Sequence, residues 1–452
     1  MIRVTEENSL RNYNRVLKDF EPTFAFHKSV IVEEILKETN PLSIYLAGSF
    51  GRNEGSFYLS KNGFVPLRDY DILVVLEKLV TSETIARIRT NIHRKLGLSD
   101  PFQKRWKFEE FSVWITQTTL KDIDVLPMLK VYELKETSKL LWGKDIRSNV
   151  RMDFSEVSPY NGVLILLSKV EGLLGLLDIR DLRENVHAPA KADLVYECLK
   201  SYVEIGTSLS ILLRSYESSF VGRCARVSKS FDVQFPSLYR MNNALPSLMI
   251  TCSYRRLLMD DDFLASVDTG KLLSATVRDL KITLWYYLNR AYGANGFSTP
   301  TYAEVFDHVL TKLNTRVLID LFDYFMQRKF RIHSRKATEI VTRVYVRFVL
   351  LRFFVQARKK GYRIKPRLLL ARNSNIMLRL WMTAFMLLES VKEDLSLDDD
   401  SLSAAAEKLG EILDADCMTG HSGSRTQSRF RCFQKMAVDL LDLGDKIFHR
   451  KD

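Results

Sequence analysis

One stretch, Tyr45 to Leu76 (YLAGSFGRNEGSFYLSKNGFVPLRDYDILVVL), limits what this chain can become more than any other. A short apolar segment runs into Gly48-Ser49, and after a polar connection the chain re-enters an apolar run through Arg68-Asp69-Tyr70-Asp71. That run, ILVVL, is rich in β-branched residues and reads as a central strand. Side chains two residues apart on a strand share a face, so Asp69 and Asp71 project together. Carboxylates held side by side repel each other, and a divalent cation removes that repulsion; hard carboxylate oxygens suit Mg²⁺. Upstream, Leu42 to Ala47 reads as a second strand. The glycine after it lets the backbone approach a ligand closely, while the turn offers N–H groups and the Ser49 hydroxyl to phosphate oxygens.

The neighbouring segments supply the rest of a small sheet domain. Phe26 to Thr39 has helical apolar spacing and stops at Asn40-Pro41. Thr81 to Leu96 reads as a helix and Lys107 to Thr116 as a strand. Lys121 to Leu129 reads as a further strand segment carrying Asp122 and Asp124, which brings a third carboxylate to the pair. Three carboxylates can hold two metals about 3.5–4 Å apart. The connection of roughly twenty residues from Ser49 to Asp69 contains the turn signal Asn62-Gly63 and reads as an inserted hairpin, with Tyr70 packing as a strand residue. Tyr132-Glu133-Leu134 and Leu140 to Gly143 read as a helix and strand that close the unit.

Taken in order, these elements resemble the nucleotidyltransferase superfamily. That superfamily includes DNA polymerase beta, poly(A) polymerases, CCA-adding enzymes, aminoglycoside nucleotidyltransferases and bacterial cyclic-oligonucleotide synthases. Ala47-Gly48-Ser49 matches its small residue followed by Gly-Ser, and Asp69-Tyr70-Asp71-Ile72 matches its hDhDh strand opening. Asp124, within Ile123-Asp124-Val125-Leu126-Pro127, matches its third acidic residue. The resemblance covers residues 25 to 150. It implies that Gly48 and Ser49, with Arg52, contact the nucleotide, that Asp69 and Asp71 bind two Mg²⁺ ions (Mn²⁺ as a substitute), and that Asp124 holds the catalytic metal. The implied activity is transfer of a nucleoside monophosphate from an NTP, ATP among the donors, to a hydroxyl or phosphate acceptor such as RNA, releasing pyrophosphate. The Asp-Val-Leu-Pro ending is similar to the poly(A) polymerase, CCA-adding and cyclic-oligonucleotide synthase branch. It adds acceptor-independent synthesis of cyclic or linear oligonucleotides as an alternative. The other alternative is a nucleic-acid-binding protein without activity, and retention of all three aspartates opposes it.

The expected fold class is α+β: a small mixed-sheet nucleotidyltransferase domain (residues 1–154) followed by a large all-helical region. Residues 155–392 form a helical domain with a basic segment, and residues 393–452 an acidic loop and C-terminal helices. Val163 to Leu177, Lys191 to Tyr216, Ser274 to Tyr292, Thr301 to Lys312 and Arg316 to Arg328 read as helices. Val221 to Ser247, with Pro236, Pro246 and Arg223, reads as a long surface loop, with a border of the cleft as the alternative. From Arg328 to Arg372 fifteen Lys or Arg face a single acid, Glu339, against +12 for the whole chain. Such a field suits RNA, DNA or triphosphates as well as acidic protein surfaces. Within it, Thr338 to Lys359 reads as a helix whose aromatics are core material, and Lys359, Lys360, Arg363, Lys365 and Arg367 are the phosphate candidates. The five cysteines include no CxxC pair and the seven histidines no HExxH, so neither builds a zinc site and a reducing compartment is expected. With no apolar leader and charges interrupting every apolar run, a cytoplasmic protein without membrane spans is expected.

Overall fold

The computed structural model describes residues 6–60, 63–100, 102, 110–125, 127–179, 182, 188–292, 323–324, 326–327, 329, 331, 333–370, 376–414 and 426–448. The chain is a mixed α+β protein of two compact units. The first comprises Met1–Asn161, His187–Gln234 and Ala244–Val267; the second comprises Gly162–Val186, Phe235–Asn243 and Asp268–Asp452. Two helical stretches placed by sequence in the helical domain therefore belong with the sheet. The helices expected at Thr301–Lys312 and over most of Arg316–Arg328 lie outside the described residues, as do Leu126 and Cys417.

In the first unit a long helix, α1 (Glu6–Glu38), begins well before Phe26 and stops ahead of Asn40-Pro41. Strand β1 (Pro41–Ala47) follows, then the helical turn α2 (Gly48–Gly51), β2 (Ser56–Ser60) and the fourteen-residue β3 (Gly63–Leu76). The connection between Ser49 and Asp69 is a hairpin: β2 pairs antiparallel with the first residues of β3, Ser60 opposite Gly63 and Ser56 opposite Leu67. From Arg68 onward β3 changes partners. It pairs in parallel with β4 (Phe111–Thr119) and, from Asp71, antiparallel with β1. Helix α3 (Ser82–Leu96) lies between β3 and β4 in sequence; the Thr81 hydroxyl caps its N-terminus and left-handed Gly97 ends it. Helix α4 (Leu129–Thr137) leads to β5 (Lys139–Gly143), antiparallel to β1.

Alternation along β3 separates core from site. Tyr70, Ile72 and Val74 are buried on one face, while Asp69 and Asp71 take the other by strand periodicity. Tyr70 sits at the centre of an aromatic cluster, its ring centroid 4.5 Å from Phe111 and 5.0 Å from Phe50, with its hydroxyl 3.2 Å from His27 Nδ1. Edge-to-face packing of this kind adds about 0.5–1.5 kcal/mol per pair beyond burial, so the strand carrying the aspartates rests on a stiff floor.

The unit is completed by α6 (Ala188–Leu212), α7 (Phe220–Ser228) and α8 (Leu245–Leu257), and by β6 (Leu258–Asp260), which pairs in parallel with β2. The stretch Val221–Ser247 is thus largely helical, with further short helices at Phe231–Gln234 and, within the second unit, at Pro236–Met241, and is not the surface loop expected. Its prolines stand in the first turns of Pro236–Met241 and Leu245–Leu257, where a missing N–H does no harm.

The second unit, described by itself, is helical. Helix α5 (Tyr160–Leu176) starts at the end of the first unit and lies mostly in the second. Then come α9 (Thr269–Tyr292), α10 (Arg335–Lys359), α11 (Ile376–Glu389), α12 (Asp399–Ile412) and α13 (Thr426–Phe448). In α10, Val349, Phe353 and Ala357 are buried as core, whereas Phe348 is exposed. Among the described residues no helix is long and apolar enough to cross a membrane.

Candidate functional site

β1 ends at Ala47, whose partner across the sheet is Asp71. The next residue, Gly48, has a φ of 64° and opens the α2 turn. A Cβ built on Gly48 would lie 2.0 Å from Asp71 Oδ2 and 2.9 Å from its Cγ. The position therefore excludes other residues twice, by backbone conformation and by the carboxylate seated against the Cα. Ser49 is half-buried, and no side chain caps the start of the turn, so its first N–H groups are not occupied from that side. Gly48→Ala is expected to destabilise the fold by about 1–3 kcal/mol and to push Asp71 aside. Urea titration of the wild type and the variant checks the first effect.

Asp69 stands where β3 exchanges β2 for β4. The residue before it, Arg68, takes a φ of 76°, uncommon for a side chain of this size. Three residues of α6 hold it there: its Nη2 lies 3.6 Å from Asp193 Oδ1 and 3.7 Å from Glu197 Oε2, and its guanidinium sits 4.6 Å from the Tyr196 ring centroid. Backbone strain next to a functional group persists only where the surroundings over-determine it, and this cluster does so. Asp193, Glu197 and Lys200 recur at helical spacing on α6, so one helix face delivers both carboxylates to Arg68 and a lysine toward the aspartates. Burial opposes the charge on Lys200, but Glu197, Tyr196 and Glu204 outweigh it and hold the amine protonated.

The Asp69 carboxyl is pushed up to about 6, first by burial and then by the neighbouring Asp71 charge, against weaker relief from Lys200, Arg68 and Lys130. Asp193 is also pushed up to about 6, by burial opposed by Arg68. A raised carboxyl binds its proton more tightly folded than unfolded. Its contribution is thus favourable below the unfolded value of 3.8 and is lost as pH rises through 6. Asp69→Asn should accordingly melt higher than wild type at pH 7.5 without metal, by on the order of 2 kcal/mol, and match it at pH 4. Thermal melts at the two pH values read the difference directly.

The structure brings Gly48, Ser49, Asp69 and Asp71 to one corner, but it does not join Asp124 to them. The segment after β4 is a turn rather than a strand; Asp124 Oδ2 accepts a hydrogen bond from Arg151 N at 3.2 Å and Asp122 Oδ2 one from Thr119 Oγ1 at 2.8 Å. Among the described residues no group of three or more His, Cys, Asp or Glu side chains forms a metal cage. Arg52, expected beside the nucleotide, is buried in a different cluster. Its Nη1 lies 3.2 Å from Glu133 Oε1 and its guanidinium 4.0 Å from the Phe220 ring centroid.

That cluster is the part sequence reasoning missed. Arg223, fully buried, donates to Glu133 Oε1 and to the Tyr216 hydroxyl, both at 2.7 Å. Burial opposes ionisation of Glu133, but Arg52 and Arg223 together hold its carboxyl below the usual range. Glu54 accepts from the Phe220 N–H at 2.7 Å and from the Ser219 hydroxyl at 2.7 Å. The α2 turn is thereby tied to α4 and to the N-terminus of α7. Glu133 had a signal, its place in the closing Tyr132-Glu133-Leu134 helix; Arg223 had none, because its partner is ninety residues away. No protein-family model matches this sequence, and no curated protein matches it.

Proposed function

We propose that the corner formed by Gly48, Ser49, Asp69 and Asp71 binds a divalent cation with the triphosphate of an NTP, and that the chain transfers the nucleoside monophosphate to an acceptor hydroxyl or phosphate. The reading follows the resemblance to nucleotidyltransferases. The observation that carries it is the aspartate pair: two carboxylates on one strand face, one of them driven toward protonation by burial and by the other. Two hard oxygen donors in mutual repulsion fit Mg²⁺ or Mn²⁺, and the bound ion would neutralise carboxylate and phosphate charge alike. Gly48 leaves room for the carboxylate. The Ser49 hydroxyl and the turn N–H groups would hold phosphate oxygens, with Lys200 and Lys130 adding positive charge. In the reaction an acceptor oxygen bonds to the α-phosphorus, a hydroxyl acceptor releasing its proton to solvent; the bond from the α-phosphorus to the bridging oxygen breaks, and pyrophosphate leaves.

A second reading, NTP or nucleic-acid binding without turnover, is favoured by one observation: the Asp124 carboxylate is engaged by Arg151 N and is not grouped with the pair. Incubation with each labelled NTP and Mg²⁺, with and without total RNA, separates the readings by product size. Extended RNA with pyrophosphate release supports transfer to RNA, and short oligonucleotides formed without RNA support acceptor-independent synthesis. Release of no pyrophosphate from any NTP overturns the enzymatic reading. With turnover established, Asp124→Asn should abolish it if Asp124 serves as the third ligand, and should leave it within about twofold if the described turn persists.

A further inference from the structure

Helix α10 is apolar on two opposite faces. One face, with Val349, Phe353 and Ala357, is buried in the second unit. The other carries Val341, Val344, Phe348, Leu351 and Val355, each between 40% and 64% exposed. Their spacing is three, four, three and four residues, the a/d repeat of a coiled-coil seam, and at 1.5 Å per residue the stripe runs about 21 Å along the helix. A surface stripe of this size on a charged helix marks an interaction face.

We propose that this seam docks an amphipathic helix of another protein whose flanking positions are acidic. The flanks decide the occupant. In the repeat set by Val341 as a, Arg347 falls at g and Arg352 and Lys359 at e, and no acidic residue occupies an e or g position between 340 and 359. The nearby acid, Glu339, already pairs with Arg343. In a parallel pair of identical helices g meets the e residue five positions on, which sets Arg347 against Arg352 of the second copy. An antiparallel pair sets g against g and e against e, where the only charged residues, Arg347, Arg352 and Lys359, are again cations. Like charges at these positions disfavour self-pairing and select a partner with Asp or Glu there, and the arginine fork suits carboxylates in particular. A lipid surface would be served by any apolar stripe with basic edges; the 3-4 spacing is what a facing helix requires for knobs-into-holes packing.

The probe is a labelled peptide of about four heptads with Leu at a and d and Glu at e and g, compared by fluorescence anisotropy with the same peptide carrying Lys at e and g. The full chain is expected to bind the Glu peptide and not the Lys peptide. The double substitution Arg347→Glu/Arg352→Glu should weaken the first and gain the second, each by at least about tenfold. Phe348→Ser should weaken binding of the Glu peptide. All these positions are exposed, and unchanged melting temperatures would show that the variants remain folded. Equal binding of both peptides, or binding of neither, overturns the proposal. So does wild-type protein that ignores the peptides but floats with phosphatidylcholine/phosphatidylserine vesicles, or that forms a dimer abolished by Phe348→Ser.

Discussion

Asp71→Asn is expected to lower Mg²⁺-dependent NTP turnover by about a thousandfold or more while leaving the chain folded. The side chain keeps its shape, so the seat against Gly48 survives; what is lost is one of two negative charges. Asp69→Asn should reduce turnover as severely, and it should also raise stability in the absence of metal. Asp69 is the carboxyl whose ionisation burial and Asp71 oppose, so neutralising it relieves the metal-free fold. A substitution that removes activity while raising metal-free stability is hard to explain by packing alone. Pyrophosphate release, with metal-free melts of the same preparations, measures both effects.

The second large effect is structural. Arg223→Ala should destabilise the first unit by about 3–5 kcal/mol, the range for removing one partner of a buried ion pair. The substitution strands Glu133 against Arg52 alone and leaves the Tyr216 hydroxyl without its donor from Arg223. Glu133→Gln should cost less, because the amide oxygen still accepts from Arg223 and only the charge is lost. Urea denaturation of the wild type and both variants gives the comparison. Equal losses for the two would mean that charge, rather than the hydrogen-bond geometry, sets the stability of the cluster.

The parts of the site that were legible in the sequence are those governed by local periodicity. Asp69 and Asp71 share a face because strands repeat every two residues, and the same rule buries Tyr70. Asn62-Gly63 marked the hairpin between Ser49 and Asp69. The strand expected around Asp124 came from the same rule used too thinly. Asp122-Ile123-Asp124-Val125 alternates like a strand, but a turn with only Ile123 buried satisfies four residues equally well. The stretch from Val221 to Ser247 read as a loop because prolines and arginines crowd it; the prolines turned out to start helices, and Arg223 to be buried by Glu133. Neither Arg223 with Glu133 nor Arg68 with Asp193 and Glu197 could be read locally, since each pairing spans ninety residues or more and depends on how α4, α6 and α7 pack around the sheet.

The central claim is that Asp69 and Asp71 exist to be neutralised by a divalent cation that brings an NTP with it. Isothermal titration of NTP into the chain at pH 7.5, with and without Mg²⁺, tests this most directly. Binding should appear only with Mg²⁺ and disappear in both Asp69→Asn and Asp71→Asn. Binding that ignores Mg²⁺, or that survives both substitutions unchanged, would contradict it.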